Sequence, residues 1–272
     1  MSDPIIFDRT QVRRQRDRAA VSLADHDFLL QESADRLCDR LEDVARGFPR
    51  ALDIGCHGGE LSQRLAGRFG IETLVSCDLS PKMAALAATN GALTVAADEE
   101  TLPFAEGRFD LVVSNLSLHW VNDLPGALLQ IRRILKPDGL FIASLLGGET
   151  LKEWRQAMME AELAEEDGVS PRVSPFVDVR DAGGLMQRAG FALPVADIDP
   201  VNVTYGNPMT LLADLRGMGE GNAVKARRKG FTRRGTFARA LSLYQERFAD
   251  HEGRLPASFQ ILTMTGWTPA GK

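Results

Sequence analysis

Between residues 27 and 47, apolar side chains recur at Leu29, Leu30, Ala34, Leu37, Leu41 and Val44. That three- and four-residue spacing predicts one buried face of a helix, closed by Gly47. Beyond it the pattern alternates. Short apolar runs at Ala51–Ile54, Thr73–Asp78, Leu93–Ala97, Phe109–Ser114 and Leu140–Leu145 predict buried strands. Helical stretches at Glu60–Phe69, Pro81–Asn90 and Leu124–Leu135 fall between most of them, and Ser80-Pro81 supplies a cap and a first-turn proline. Strand–helix alternation of this kind predicts a parallel sheet covered by helices on both faces. After Gly147 the pattern predicts a helix over 149–166, a Pro/Ser connection at Ser170–Phe176 and a helix over 179–189. A strand-like ALPVADIDPVNVTY, a helix from Pro208 and a last strand around PASFQILTMTGW follow, so the sheet is expected to end in an antiparallel hairpin. The expected architecture is α/β: a doubly wound, seven-stranded, mostly parallel sheet. Residues 1–48 form an amino-terminal helical cap, and 49–272 the main domain, with helical insertions near 149–190 and 208–250.

Composition narrows the function classes. With 272 residues, 44% of them hydrophobic, the chain can bury a substantial core, and a net charge of -5 argues against wholesale nucleic-acid binding. The three cysteines (Cys38, Cys56 and Cys77) are widely spaced and suggest neither a disulfide framework nor a zinc cluster. A reducing compartment, read as the cytoplasm, is expected. No apolar run is long enough to cross a bilayer. The arginine-rich FDRTQVRRQRDRAA is interrupted by Asp8 and Asp17 and is followed by no apolar signal core, so it is read as part of the folded protein.

In open α/β sheets ligands bind beyond the carboxyl ends of the strands, where strand order reverses. The first strand presents Asp53 and the turn Gly55–Gly59, the second Asp78, the third Asp98-Glu99-Glu100, and the fourth Ser114-Asn115 leading into LSLHW. Taken in order with FDLVVSNLSLHW and LKPDG, these features resemble the class I S-adenosylmethionine-dependent methyltransferases and their Rossmann-like sheet. The resemblance implies that Asp53, Gly55 and Gly59 hold the methionine end of S-adenosylmethionine. It places Asp78 on the ribose hydroxyls, Asp98 on the adenine amino group, Leu79 and Glu99 against the ring, and Asn115 near the sulfonium. The middle of the loop is His57, which fits such a site if its φ is negative and its side chain turns away from the cofactor. His119, after the fourth strand, is the candidate for substrate orientation or proton removal. No metal site is expected.

The blocks FDRTQVRRQRDRAA, ADEETLPF, SNLSLHWVNDLPGALLQI, SPRVSPFVDVRDAGGLMQRAGF, LRGMGEGNA and LPASFQILTMTGW narrow the resemblance. Together they are similar to the respiratory complex I assembly factor 5 family of arginine hydroxylases. The resemblance implies a protein substrate, a complex I subunit modified on an arginine. The residues themselves suit methyl transfer, which asks only for cofactor, nucleophile and alignment, whereas hydroxylation also asks for an oxygen source and a redox centre. Two alternatives stand beside it. One is methyl transfer to a carboxylate, as in the malonyl-carrier-protein O-methyltransferases, which share the FDLVVSNLSLHW-like block. The other is a non-enzymatic assembly chaperone on the same fold. KARRKGFTRRGTFAR, a basic stretch in an acidic chain, reads as a solvated loop and helix start, or as a docking patch for an acidic protein surface.

Overall fold

The structure, a computed structural model, describes residues 5–166 and 168–271. Strands β1 (Arg50–Ile54), β2 (Thr73–Asp78), β3 (Leu93–Ala96), β4 (Phe109–Asn115), β5 (Leu135–Leu146), β6 (Ala192–Tyr205) and β7 (Leu255–Trp267) form one sheet. Their order is β3-β2-β1-β4-β5-β7-β6, with β7 antiparallel to both neighbours. The helices are α1 (Arg9–Ala19), α2 (Phe28–Glu42), α3 (Glu60–Leu65), α4 (Pro81–Thr89), α5 (Leu124–Ile134), α6 (Lys152–Glu165), α7 (Val179–Arg188), α8 (Pro208–Gly217) and α9 (Arg234–Phe248).

The doubly wound, seven-stranded expectation holds. Every β4 residue is buried, because successive side chains alternate between two covered faces. Leu111 and Val113 pack under α2 and α3 with Leu37, Leu41, Leu61 and Leu65. Val112 packs on the other face with Leu128 and Ile131 of α5 and Met186 of α7. A separate apolar cluster gathers α6, α8 and α9 against Phe259 and Ile261 of β7 and Leu29 and Leu30 of α2. This cluster builds the wall on which the late segments stand.

One boundary differs from the sequence reading. LKPDG lies inside β5 rather than between helix and strand, since Leu135 already pairs with Phe109 before a register shift. The basic stretch is a loop followed, as read, by the start of a helix, α9, whose buried face (Thr236, Ala240, Tyr244) packs against α6 and β7.

Candidate functional site

The reversal of strand order lies between β1 and β4, and the residues singled out at the strand ends converge there. The loop after β1 turns on two left-handed glycines. Gly55 has φ of 68°, and a Cβ on it would sit 1.9 Å from Ser117 Oγ; Gly59, with φ of 92°, precedes the first turn of α3. Asp53 lies under the loop, fully buried, with Oδ2 accepting from Ser62 Oγ at 2.7 Å and Oδ1 without a partner. Burial pushes its carboxyl up to about 7, against the Ser62 hydrogen bond that pulls it down, and the nearby Asp78 adds to the rise.

His57 departs from the condition set by the sequence. Its φ is 47°, a left-handed conformation that costs a side-chain-bearing residue roughly 1–2 kcal/mol. The side chain turns inward, and Nε2 donates to the carbonyls of Asn115 (3.1 Å) and Leu116 (3.2 Å). Both acceptors belong to the exit of β4, where Leu116 is itself left-handed with φ of 45°. Burial first, and then Arg16, lowers the imidazole pKa, so the ring is held neutral with its proton on Nε2. His57 is thus a tie across the mouth of the cleft.

The carboxylates are paired with arginines of α1. Arg16, with no exposed surface, donates Nη1 to Asp78 Oδ2 (3.1 Å) and Glu99 Oε1 (3.0 Å), and Nη2 to Ser117 Oγ (2.8 Å). Arg9 donates to Asp98 Oδ1 at 2.6 Å and also to Glu99. Asp78 further accepts from the backbone N–H of Ser80 (2.7 Å) and of His57 (3.2 Å). Burial alone would raise the Glu99 carboxyl, but Arg9 and Arg16 hold it at about 2. Leu79 packs with Phe7, Val12 and Trp120 beneath α1. The sequence reading missed Arg16. Its signal was the buried face of α1, where Val12, Arg16 and Ala19 follow the four- and three-residue spacing of one helix side with an arginine in the middle.

Chemically the set suits the adenosyl cofactor that the resemblance implies: two strand-end acids, glycine turns, and a buried acceptor on Asp53 that lacks a donor. Arg16 and His57 already bond Asp78, and Arg16 bonds Glu99 as well, so these acids are satisfied within the chain. Among the described residues, no group of three or more His, Cys, Asp or Glu side chains is placed to hold a metal ion.

Two predicted side chains stand elsewhere. Asn115 meets the set through its main-chain carbonyl, which accepts from His57 Nε2, while its side chain turns elsewhere. Its Nδ2 donates to Leu30 O (2.9 Å) and its Oδ1 accepts from Ser144 Oγ (3.1 Å), which ties β4 to β5 and α2. His119 is buried, with Nε2 2.9 Å from Glu220 Oε2 and Nδ1 3.5 Å from the backbone N–H of Leu146. Trp120 Nε1 donates to the same carboxylate, at 3.1 Å to Oε2 and 3.2 Å to Oε1. Both His119 nitrogens are therefore engaged, and the ring positions Glu220 rather than offering a free base. Burial would raise the Glu220 carboxyl, but His119 and Arg16 outweigh it and hold it below the usual range.

Behind this wall lies a cavity of about 280 Å³ reached by Trp120 and Glu220 and by residues from α6, α8, α9 and β7. The basic stretch lies beside it, and two of its seven cations are paired within the chain: Arg227 with Asp8 (3.2 Å) and Arg228 with Glu166. Arg172 likewise pairs with Glu162. Arg228 thus joins the basic stretch to the residue that follows α6.

A family model described as a methyltransferase domain matches residues 52–143. Over 269 residues the chain is 45% identical to arginine-hydroxylase NDUFAF5, mitochondrial, from Danio rerio, spanning 97% of this chain and 83% of that protein. It is 33% identical over 282 residues to a malonyl-[acyl-carrier protein] O-methyltransferase from Methylovorus sp. (strain MP688), spanning 100% of this chain and 93% of that protein. Phosphoethanolamine N-methyltransferase 2 of Haemonchus contortus, solved in complex with S-adenosyl-L-methionine, shares the fold with a TM-score of 0.58 at 17% identity, over 95% of this chain and 60% of that one. The mitochondrial designation of the NDUFAF5 relative corrects the expectation of a cytoplasmic protein. That expectation rested on the cysteines, and three buried free thiols do not say which compartment holds the protein.

Proposed function

The chain belongs to the NDUFAF5 arginine-hydroxylase family, and from that membership we propose that it binds S-adenosylmethionine and modifies an arginine side chain of a protein substrate, a respiratory complex I subunit during assembly. The observation that carries the proposal is the 45% identity running through 97% of the chain, well beyond the 52–143 methyltransferase core. With α1 withdrawn, Asp78 would hold the ribose hydroxyls, Asp98 and Glu99 the adenine end with Leu79 against the ring, and Asp53, Gly55 and Gly59 the methionine end. When bound, the cofactor supplies a sulfonium with an electrophilic methyl group. The chain's own contribution is to desolvate that cleft: Asp53 and Asp78 have no exposed surface, and Glu99 only 1%. His119 fixes the Glu220 carboxylate at the wall between cleft and cavity.

Hydroxylation replaces a C–H bond by C–OH. With dioxygen as oxidant, the second oxygen leaves as water, and an external reductant provides two electrons with two protons. Peptide mass spectrometry of the candidate complex I subunit, from cells with and without this protein, tests the proposal. Gain of one oxygen on an arginine, only when the protein is present, is the expected result. An unmodified subunit in both cells would overturn it. The second reading, methyl transfer to a carboxylate, is favoured by the 33% identity to the malonyl-carrier enzyme over the whole chain. Methylation of a malonyl thioester by the purified protein would establish that reading instead.

A further inference from the structure

The segments after the methyltransferase core place no side-chain hydrogen bond on Asp53, Asp78, Asp98 or Glu99, yet they meet in one place. SPRVSPF supplies Phe176, LRGMGEGNA supplies Glu220, and LPASFQ supplies Phe259 to the same 280 Å³ cavity. Trp154 of α6 and Phe237 of α9 complete its aromatic wall, and Trp120 closes the inner end. Trp120 also packs against Phe7 and Leu79 on the cleft side, so one side chain separates the two compartments.

Glu220 is the acidic side chain that lines this cavity. Its carboxylate is 6% exposed and is held in place by Trp120 Nε1 and His119 Nε2. Oε1 accepts from Trp120 alone at 3.2 Å, leaving a lone pair for a further donor. Of the cations near the wall, Arg16 is held by Asp78 and Glu99 on the cleft side, and partly buried Arg172 by Glu162, whose Oε1 accepts from its Nε at 2.7 Å. Arg216, exposed, stands at the mouth. A fixed anion behind aromatic faces is the environment that a planar cation matches, by charge-assisted hydrogen bonds and by stacking on the rings. At that inner end a second carboxylate would be repelled by Glu220.

We propose that this cavity is the acceptor pocket for the substrate arginine, its guanidinium seated among the aromatic side chains and hydrogen-bonded to Glu220. The assignment rests on the arginine reading above and adds the place and the anchor. It also gives the late segments their role: they are the substrate half of the site, and the strand ends are the cofactor half.

Two of the three tryptophans, Trp120 and Trp154, line the cavity, so intrinsic fluorescence reports its occupancy. The full-length protein is titrated with N-acetyl-arginine methylamide and with the neutral isostere N-acetyl-citrulline methylamide. The arginine probe is expected to bind saturably and about tenfold more tightly than the citrulline probe, the worth of one hydrogen bond to a buried charge. Glu220→Gln keeps the shape and an acceptor for Trp120, and is expected to abolish that preference. Phe176→Ala is expected to weaken both probes together. Equal binding of the two probes, no binding of either, or an unchanged preference in Glu220→Gln would each overturn the pocket. So would a malonyl thioester that binds in competition with the arginine probe and binds more tightly to Glu220→Gln. The family reading is judged separately: if the subunit arginine is modified in cells carrying Glu220→Gln as fully as in wild type, the activity stands and this pocket assignment falls.

Discussion

Two compartments back onto the wall of His119, Trp120 and Glu220, and they are built on opposite principles. On the glycine-loop side, Asp78, Asp98 and Glu99 are answered by Arg9 and Arg16 of the same chain. On the other side, aromatic side chains surround 280 Å³ of space with one carboxylate at its inner end. The difference follows from what each lining demands. A buried carboxylate without a partner costs several kcal/mol, so an acid-lined cleft must find cations within its own chain. An aromatic cavity gives up only dispersion contacts when its walls stand apart, and it can stay open. The glycine-loop side is therefore satisfied within the chain, so a ligand there would have to replace existing partners; the aromatic side is already open.

The sharpest way to break that comparison is Arg16→Met. Removing the guanidinium leaves Asp78 and Glu99 short of a buried partner and is expected to cost about 3 kcal/mol of stability. Urea unfolding of variant and wild type would measure it. The same change is expected to tighten binding of S-adenosylhomocysteine in calorimetry, because the ligand no longer displaces an ion pair. A variant both less stable and weaker in binding would show that Arg16 supports the cofactor site instead of competing for it. Asp78→Ala is a poorer probe of cofactor binding, since it strands a fully buried arginine and would disturb the fold as well.

A smaller effect separates the carboxylates by their titration. Glu99 is held at about 2 against an ordinary 4.5, so its contribution to stability is fully present above pH 4.5 and is lost as pH falls toward 2. Asp53 runs the other way. At about 7 against 3.8, the folded protein keeps a proton that the unfolded chain releases, so stability declines as pH rises from about 4 to 7. Glu60, also pushed up to about 7 by burial, adds to that decline. Denaturant midpoints are expected to peak at about pH 4, and Asp53→Asn to remove roughly half of the fall above it. Midpoints that keep rising to pH 8 would place Asp53 in a more polar setting than its burial implies. Because an ammonium group favours the ionised form of Asp53, affinity for S-adenosylhomocysteine is expected to increase through pH 7.

Much of this was legible in the sequence. The strand runs, the helices between them and the closing hairpin follow from apolar periodicity, which burial on both sheet faces enforces. The strand-end acids were also legible, because the topology of a doubly wound sheet fixes where its loops gather. The pairing of those acids was not, since Arg16 reaches Asp78 across 62 positions and Glu99 across 83. No local pattern encodes such a contact. His57 shows the same limit in reverse: a residue disfavoured for its left-handed φ is held there by carbonyls nearly 60 positions away. Glu220 sits in a glycine-rich turn, where composition suggests a loop and nothing announces a buried carboxylate. Its meaning appears only when Trp120 and His119 arrive from β4.

The smallest expected effect concerns the basic stretch beside the cavity. Arg228 pairs with Glu166, which also accepts from Thr236 Oγ1 at 2.7 Å, and Arg227 pairs with Asp8 at the start of α1. These are partly exposed pairs, screened by salt and offset by the entropy of holding long side chains. Arg228→Ala is expected to leave the unfolding midpoint close to that of wild type at high salt and slightly lower at low salt. Arg227→Ala has a second consequence, because Asp8 caps α1 through Gln11 N at 3.1 Å and its carboxylate is steadied by Arg227. Amide exchange in α1 should quicken in Arg227→Ala and stay unchanged in Arg228→Ala. If both variants loosen α1 equally, the helix that carries Arg9 and Arg16 is held by the general charge of the stretch; if only Arg227→Ala does, one ion pair at its amino-terminal cap governs how readily the cofactor side opens.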